Sequence, residues 1–235
     1  MTSAPDTVDP TPPAREAEAR ERARLAGSFA EYATTVLRDR LIVLDLQPGT
    51  PLNDEALGRE LGIGRTPVRE ALKRLEGEHL VTVYPRRGTF ASAVDLSDLA
   101  YITEIRERLE PLAAERAARS ASPEARRGMR ELADALERLQ PGAAGAAEAL
   151  RYDLDVHRSI YAANGNPHLE EDLRKYDNLA TRIWCFVADR LPDVSGNVAE
   201  HIALLRDIAE GRAAEAAEHA REHVSGFERL VRSVI

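Results

Sequence analysis

Asp153 and His157 stand four residues apart in the run RYDLDVHRSIY, a spacing that projects both side chains from one face of a helix. Two further histidines lie downstream, His201 in VAEHIALLRDIAEG and His223 in AAEHAREHVSGF. Three imidazoles and one carboxylate, brought from three helices into the middle of a bundle, form a donor set for a divalent cation; an open position would go to water or to an effector carboxylate. Any one of these histidines alone fits a surface position or a satisfied core position equally well, so the constellation carries the reading. By ligand type the set suits zinc or nickel, with manganese and iron also compatible. A zinc hydrolase uses similar ligands with an open position. A metal-dependent enzyme with a fused DNA-binding module is therefore the alternative, although the chain has no HExxH run and offers no convincing general base.

A second chemistry is written into residues 57–90, LGRELGIGRTPVREALKRLEGEHLVTVYPRRGTF. Arg65, Arg69 and Lys73 recur every four residues and share one face of a helix. Val68, Leu72 and Leu75 have the spacing of a buried stripe on the other face. Arg65 and Arg69 can reach a guanine edge bidentately in the major groove or clamp phosphates. Thr66 sits at the helix N-terminus, where backbone N–H groups favour a phosphate. Arg86 and Arg87 fall at the tip of a two-stranded wing and can enter the minor groove, and Gly88 lets that backbone approach closely. From spacing alone, the same helix also fits an Arg-rich solvated face on a surface bundle.

The elements that must position these groups are mostly helical. Aromatics make up 5% of the 235 residues, while Ala, Leu, Glu and Arg abound, a composition that favours helices. The formal net charge is −8, which excludes a uniformly basic protein but not a local basic patch. Residues 53–92 contain seven Arg/Lys and six Asp/Glu, so DNA binding depends on placement rather than bulk charge. Cys185 is the single cysteine, which excludes an intrachain disulfide and Cys-rich zinc sites. The Pro- and acid-rich start shows no signal-peptide pattern, and no apolar run approaches the roughly 18 residues of a membrane span; a cytoplasmic protein is expected.

Residues 1–17, with four prolines, read as a disordered tail. One helix is expected from about Arg20 to Leu44, with Leu25, Phe29, Tyr32, Ala33, Val36, Leu37 and Leu41 inward. Asn53 or Asp54 caps a short helix, Gly62 and Gly64 make a turn, and Pro67 stands in the first turn of the arginine-bearing helix. Leu80–Tyr84 and Thr89–Ala93 read as strands about the turn Pro85-Arg86-Arg87-Gly88. After Asp95 six helical stretches follow, at roughly 95–120, 123–140, 145–164, 167–191, 195–210 and 212–233, with a flexible corner over Pro141–Ala147. Trp184 and Cys185 read as packing residues.

The run GRTPVREALKRLEGEHLV…RRGTF resembles the winged helix-turn-helix of the GntR transcriptional regulators, and Arg65 through Leu72 match its usual core without a gap. That resemblance implies Arg65, Thr66, Arg69, Arg87 and Gly88 as contacts to double-stranded DNA. Gly64 departs from the usual Ser or Thr, losing a cap worth about 1 kcal/mol, and His79 stands where Gly is common. Residues 95–233 resemble the all-helical FCD ligand-binding domain of the six-helix, VanR-like type. The resemblance implies Asp153, His157, His201 and His223 as metal ligands, His223 being favoured over His219 one turn earlier. It further implies that Arg106, with Arg108 as its nearby competitor, pairs with an effector carboxylate through its bidentate fork; Asn178 and Arg182, one turn apart, are placed in the same cavity.

The fold expected is thus mainly α: a tail over 1–17, a winged helix-turn-helix over 18–93 and an antiparallel helical bundle over 94–235. The expected protein is a homodimeric regulator, a repressor in the family's usual mode, that reads a near-palindromic operator and answers to a small organic acid.

Overall fold

A computed structural model describes residues 12–138, 146–191 and 195–235. The corner expected at 141–147 falls largely outside them, as does the tail up to residue 11. The chain divides into two compact units, Met1–Ala93 and Val94–Ile235, and the architecture is mainly α. Among the described residues no helix is long and apolar enough to cross a membrane.

The first unit holds α1 (Pro12–Ala26), α2 (Phe29–Ile42), α3 (Asp54–Leu61), α4 (Arg65–Gly77) and an antiparallel pair, β1 (Val81–Tyr84) with β2 (Gly88–Ala91). Two expectations are corrected here. Residues 12–17, assigned to the tail, belong to α1, whose surface carries Glu18–Arg22 and Glu21–Arg24 pairs at helix-stabilising spacing. The single helix over 20–44 is two helices. Gly27 turns with φ +93°, and the Ser28 side chain accepts from the Glu31 N–H to cap α2. Leu25 and Phe29, read as inward, lie exposed beside this break, whereas Tyr32, Ala33, Leu37 and Leu41 are buried.

Leu37, Leu41 and Ile42 of α2 and Val68, Leu72 and Leu75 of α4 are buried, and the two helices pack together. Arg38 of α2 donates twice, at 2.7 Å each, to Glu78 just beyond α4. The turn between α3 and α4 has no room for a side chain at residue 58, because a Cβ there would lie 2.9 Å from the Ile63 carbonyl oxygen. The β1–β2 register pairs Val81 with Ala91 and Tyr84 with Gly88. His79 occupies left-handed backbone at φ 62°, where glycine carries no Cβ penalty. His79→Gly is accordingly expected to stabilise the unit by roughly 1 kcal/mol, read as a higher thermal midpoint; a lower one would show that the imidazole outweighs the backbone strain.

The second unit is a bundle of α5 (Asp98–Ser120), α6 (Pro123–Arg138), α7 (Ala146–Ala163), α8 (Pro167–Val187), α9 (Ser195–Glu210) and α10 (Ala213–Arg232), with a 3-10 turn at Ala188–Arg190. Helix α5 packs against α10 and α8, and α6 against α9. The Asn166 side chain accepts from the N–H groups of His168 and Leu169 to start α8, with Pro167 in its first turn, where a missing N–H costs nothing. Arg126 closes two helix ends at once, donating to Ala118 and Ala121 at the end of α5 and to Ile208 and Ala209 near the end of α9. Among the described residues, twelve of the thirteen buried polar or charged side chains lie in this unit, Thr34 being the exception. Buried polar groups are in the great majority hydrogen-bonded, which directs attention to what pairs these.

Candidate metal centre and candidate nucleic-acid interface

Helix α7 supplies Asp153, His157 and Tyr161 at successive four-residue steps, α9 supplies His201 and α10 supplies His223. One donor atom from each of Asp153, His157, His201 and His223 lies within 4.8 Å of all the others. His157 Nε2 is 3.2 Å from His223 Nε2, which is 3.3 Å from His201 Nε2. The Asp153 Oδ1 lies 3.6 Å from His201 Nε2 and 3.8 Å from His157 Nε2. His219, one turn before His223, turns away and meets Asp207 at 2.7 Å through Nδ1.

The outer nitrogens of two rings have acceptors. His157 Nδ1 lies 3.1 Å from the Tyr161 hydroxyl and 3.5 Å from Glu110, and His223 Nδ1 lies 3.1 Å from Glu200. A proton on Nδ1 leaves the Nε2 lone pair facing the centre, the arrangement in which an outer carboxylate orients a metal-binding imidazole. Burial, reinforced by Arg106 and by neighbouring imidazoles, holds His157 and His201 well below the usual histidine range. Burial and His157 bring His223 down to about 3. Burial, then Asp177, pushes Asp153 up to about 8.

Four ligands about 2.0–2.1 Å from a tetrahedral cation lie about 3.3 Å apart, close to the two Nε2 separations seen. Neutral imidazoles with converging lone pairs repel one another, and a cation converts that repulsion into ligation. The donor set therefore fits a divalent metal in both chemistry and spacing.

Arg106 of α5 is buried and already engaged. Its Nε donates to Glu110 at 2.5 Å and its Nη2 to Asp177 at 3.3 Å. Burial works against its charge, but Glu110, Tyr161 and Asp177 outweigh burial and raise its pKa. Arg108, the competitor on the same helix, is exposed. Glu110, His157 and Asp177 also approach within ligand spacing, with the Arg106 guanidinium serving as the cation between the two carboxylates. Burial pushes Asp177 up to about 7, with Arg106 opposing. Asn178 and Arg182 are both buried on α8; Asn178 adjoins Asp177, and Arg182 lies a turn further along. Sequence reasoning passed over Glu110, Tyr161 and Asp177. Tyr161 had a signal, since it continues the Asp153–His157 stripe by one turn. Glu110 and Asp177 had none that separated them from their many acidic neighbours.

In the first unit the polar chemistry is exposed. Arg65 opens α4 and Arg69 lies one turn on, their side chains 62% and 73% exposed. Thr66, Arg87 and Gly88 are also exposed. Gly64 precedes α4 with no side-chain cap. A groove of about 820 Å³ runs between α4 and the wing, lined by Arg65, Thr66, Arg69 and Lys73 on one side and Gly88 and Thr89 on the other. Arg86 and Arg87 occupy the wing turn, Arg86 at φ 63°.

Residues 30–91 match the family of bacterial regulatory proteins called gntR, and residues 101–226, more than half of the chain, match the FCD domain. The chain belongs to the FCD-bearing gntR family. The Nta operon transcriptional regulator of Aminobacter aminovorans is a relative at 30% identity over 128 residues, covering 54% of this chain and 60% of that protein. McbR of Escherichia coli is 35% identical over 104 residues, 44% of this chain and 46% of McbR. A further relative, an HTH-type transcriptional regulator in an unstable DNA locus of Streptomyces ambofaciens, is 42% identical over 74 residues, 32% of this chain and 31% of that protein; none of these three relatives is spanned over two thirds of its length. Among solved structures, E. coli McbR/YncC superposes with a TM-score of 0.75 at 20% identity, covering 87% of this gntR-type chain and 97% of the other. A GntR regulator from Rhodococcus sp. RHA1 gives 0.65 at 19% identity, with 92% and 99% covered. At these identities the likeness concerns the fold. The named relatives are transcriptional regulators rather than enzymes, so the reading as a metal-dependent enzyme gains no support.

Proposed function

We propose that this gntR-family chain is a cytoplasmic, ligand-responsive, DNA-binding transcriptional regulator, acting as a repressor. Two copies, related by a two-fold axis, read the halves of a near-palindromic double-stranded operator. Helix α4 enters the major groove, with Arg65 and Arg69 on base edges or phosphates and Thr66 on a phosphate, while Arg87 and Gly88 bring the wing to the minor groove. The observation that carries this reading is the exposed arginine face of α4 bordering an open groove beside the wing, backed by a buried apolar stripe that fixes its direction.

The helical unit holds a divalent metal on Asp153, His157, His201 and His223, with zinc or nickel preferred and manganese or iron compatible. When bound, the metal would supply Lewis acidity to the carboxylate of a small organic acid by expanding beyond its four protein ligands to a fifth position. Glu110, Tyr161 and Glu200 orient the imidazoles. Arg106 takes a second anionic group of the effector by exchanging Asp177, the longer of its two contacts, and Asn178 and Arg182 complete the polar wall on α8.

The DNA role is tested with Arg69→Ala on a duplex that the wild-type protein selects from a randomised pool. The variant is expected to bind about 10- to 100-fold more weakly, the worth of one bidentate base contact. Unchanged affinity would sink the assignment of α4 as the reading helix.

A further inference from the structure

Asp54 opens α3 immediately after its cap, Asn53, whose side chain accepts from the N–H groups of Glu55 and Ala56. A capped helix start fixes the backbone of Asp54, and the N-terminal end of α3 favours an anion there. Its side chain is only 21% exposed and receives Arg65 Nη2 on both oxygens, at 3.2 and 3.3 Å. Arg69 Nε lies 3.9 Å from the same carboxylate. One carboxylate on α3 thus hydrogen-bonds Arg65 and forms a longer ion pair with Arg69, the two guanidinium groups being presented one turn apart by α4.

An unheld arginine at a duplex surface is promiscuous: its long side chain reaches a phosphate, or any base acceptor in range, at the expense of rotamer freedom. A guanidinium held through one edge can offer only its remaining N–H groups, in one direction, which suits the paired O6 and N7 acceptors of guanine. For Arg69, the ion pair places Nε nearest the Asp54 carboxylate, which turns the two terminal nitrogens outward as the fork. The holding group is itself an anion facing a polyanionic partner. It therefore lowers the affinity for arbitrary duplex while leaving intact the contacts that require a directed fork, which is discrimination by an unfavourable element.

We propose that Asp54 is a specificity-determining positioning residue of the DNA interface, aiming Arg65 and Arg69 at base edges and holding them off phosphates. The proposal rests on the reading of α4 as the DNA-reading helix. Asp54→Asn keeps the shape of the side chain and leaves the cap on Asn53; Asp54→Ser serves as a second neutral variant, and thermal melting reports whether each is folded.

The full-length wild-type protein is offered a randomised duplex pool. Affinity for the selected duplex is then compared with that for poly(dI-dC) at one salt concentration. Both variants are expected to lower the ratio of specific to non-specific affinity by about tenfold, the discrimination carried by one base pair, and to select pools degenerate at guanines the wild type demands. A ratio unchanged while the melting temperature falls would make Asp54 a structural staple and overturn the proposal. Equal strengthening of both affinities would make it a simple source of repulsion, with the same result. If the wild-type protein selects no sequence at all, the reading of α4 falls and takes this proposal with it.

Discussion

Replacing Arg106 with Met is expected to destabilise the metal-free helical unit by roughly 3–5 kcal/mol, the usual consequence of leaving buried charges uncompensated. The expectation follows from placement. The Arg106 side chain is 4% exposed, and so is that of its nearer partner, Glu110. The guanidinium is the cation between Glu110 and Asp177, and without it two buried carboxylates face one another across α5 and α8. Asp177 already sits near 7 despite Arg106's opposing effect. In the variant Asp177 loses that opposing effect and will take up a proton more readily, so the destabilisation should be smaller at pH 5 than at pH 8. Urea unfolding of the variant at both pH values measures this. Adding Glu110→Gln and Asp177→Asn to Arg106→Met is expected to recover most of the loss, because the charges that needed a partner are then gone. Arg108→Met, on the exposed side of the same helix, should change stability by about 0.5 kcal/mol or less. An Arg106→Met variant as stable as wild type would show that the ion cluster does not hold the bundle together. A loss of effector response in an Arg106 variant must therefore be read together with its unfolding curve.

The buried placement of Arg106 marks what the sequence shows and what it hides. Positions set by local chemistry were readable. Asn53 and Gly62 punctuate α3 because a side-chain acceptor is needed at its start and a left-handed residue at its end, and the structure uses them so. The alternation of Val68, Leu72 and Leu75 against Arg65 and Arg69 set the buried and exposed faces of α4. The break between α1 and α2 was also written down, as Ser28 three residues before Glu31, a capping-box pattern. It was masked by apolar residues whose spacing runs on through the break. The acidic half of the buried cluster was not legible. Glu110 follows Arg106 by four residues, a spacing that equally forms surface pairs, and only the packing of α8 and α10 on α5 decides that Glu110 goes inward. Asp54 was hidden in a similar way, because its candidacy as a helix cap masked its reach to arginines eleven and fifteen residues on.

Metal affinity should rise about tenfold per pH unit up to about pH 8 and level off above it, a slope of one proton. The sign follows from the two kinds of ligand. Asp153, raised to about 8 by burial, is largely protonated in the metal-free protein at pH 7 and must release its proton to become a ligand. The imidazoles behave oppositely. Burial has lowered His157 and His201 well below their usual value and His223 to about 3, so from pH 6 to 8 they are already neutral. An exposed three-histidine site would lose affinity with a slope approaching three protons below about pH 6.5, the unperturbed histidine value; this buried site should hold a slope of one. Linkage gives the stability of the metal-free protein a matching shape. The contribution of Asp153 is present below its unfolded value and lost as pH rises through about 8; that of the histidines is present above about 6.5 and lost as pH falls below it, for His223 toward about 3. Titration with zinc at pH 6, 7, 8 and 9, in buffers of differing protonation enthalpy, measures slope and proton release together. A slope near three would mean that the imidazoles are solvated rather than buried. Replacing His157 and His223 together by Ala should abolish bound metal by elemental analysis, since two ligands remain where the set requires four. Metal retained by that double variant would reject the site, whatever the pH profile of the wild type.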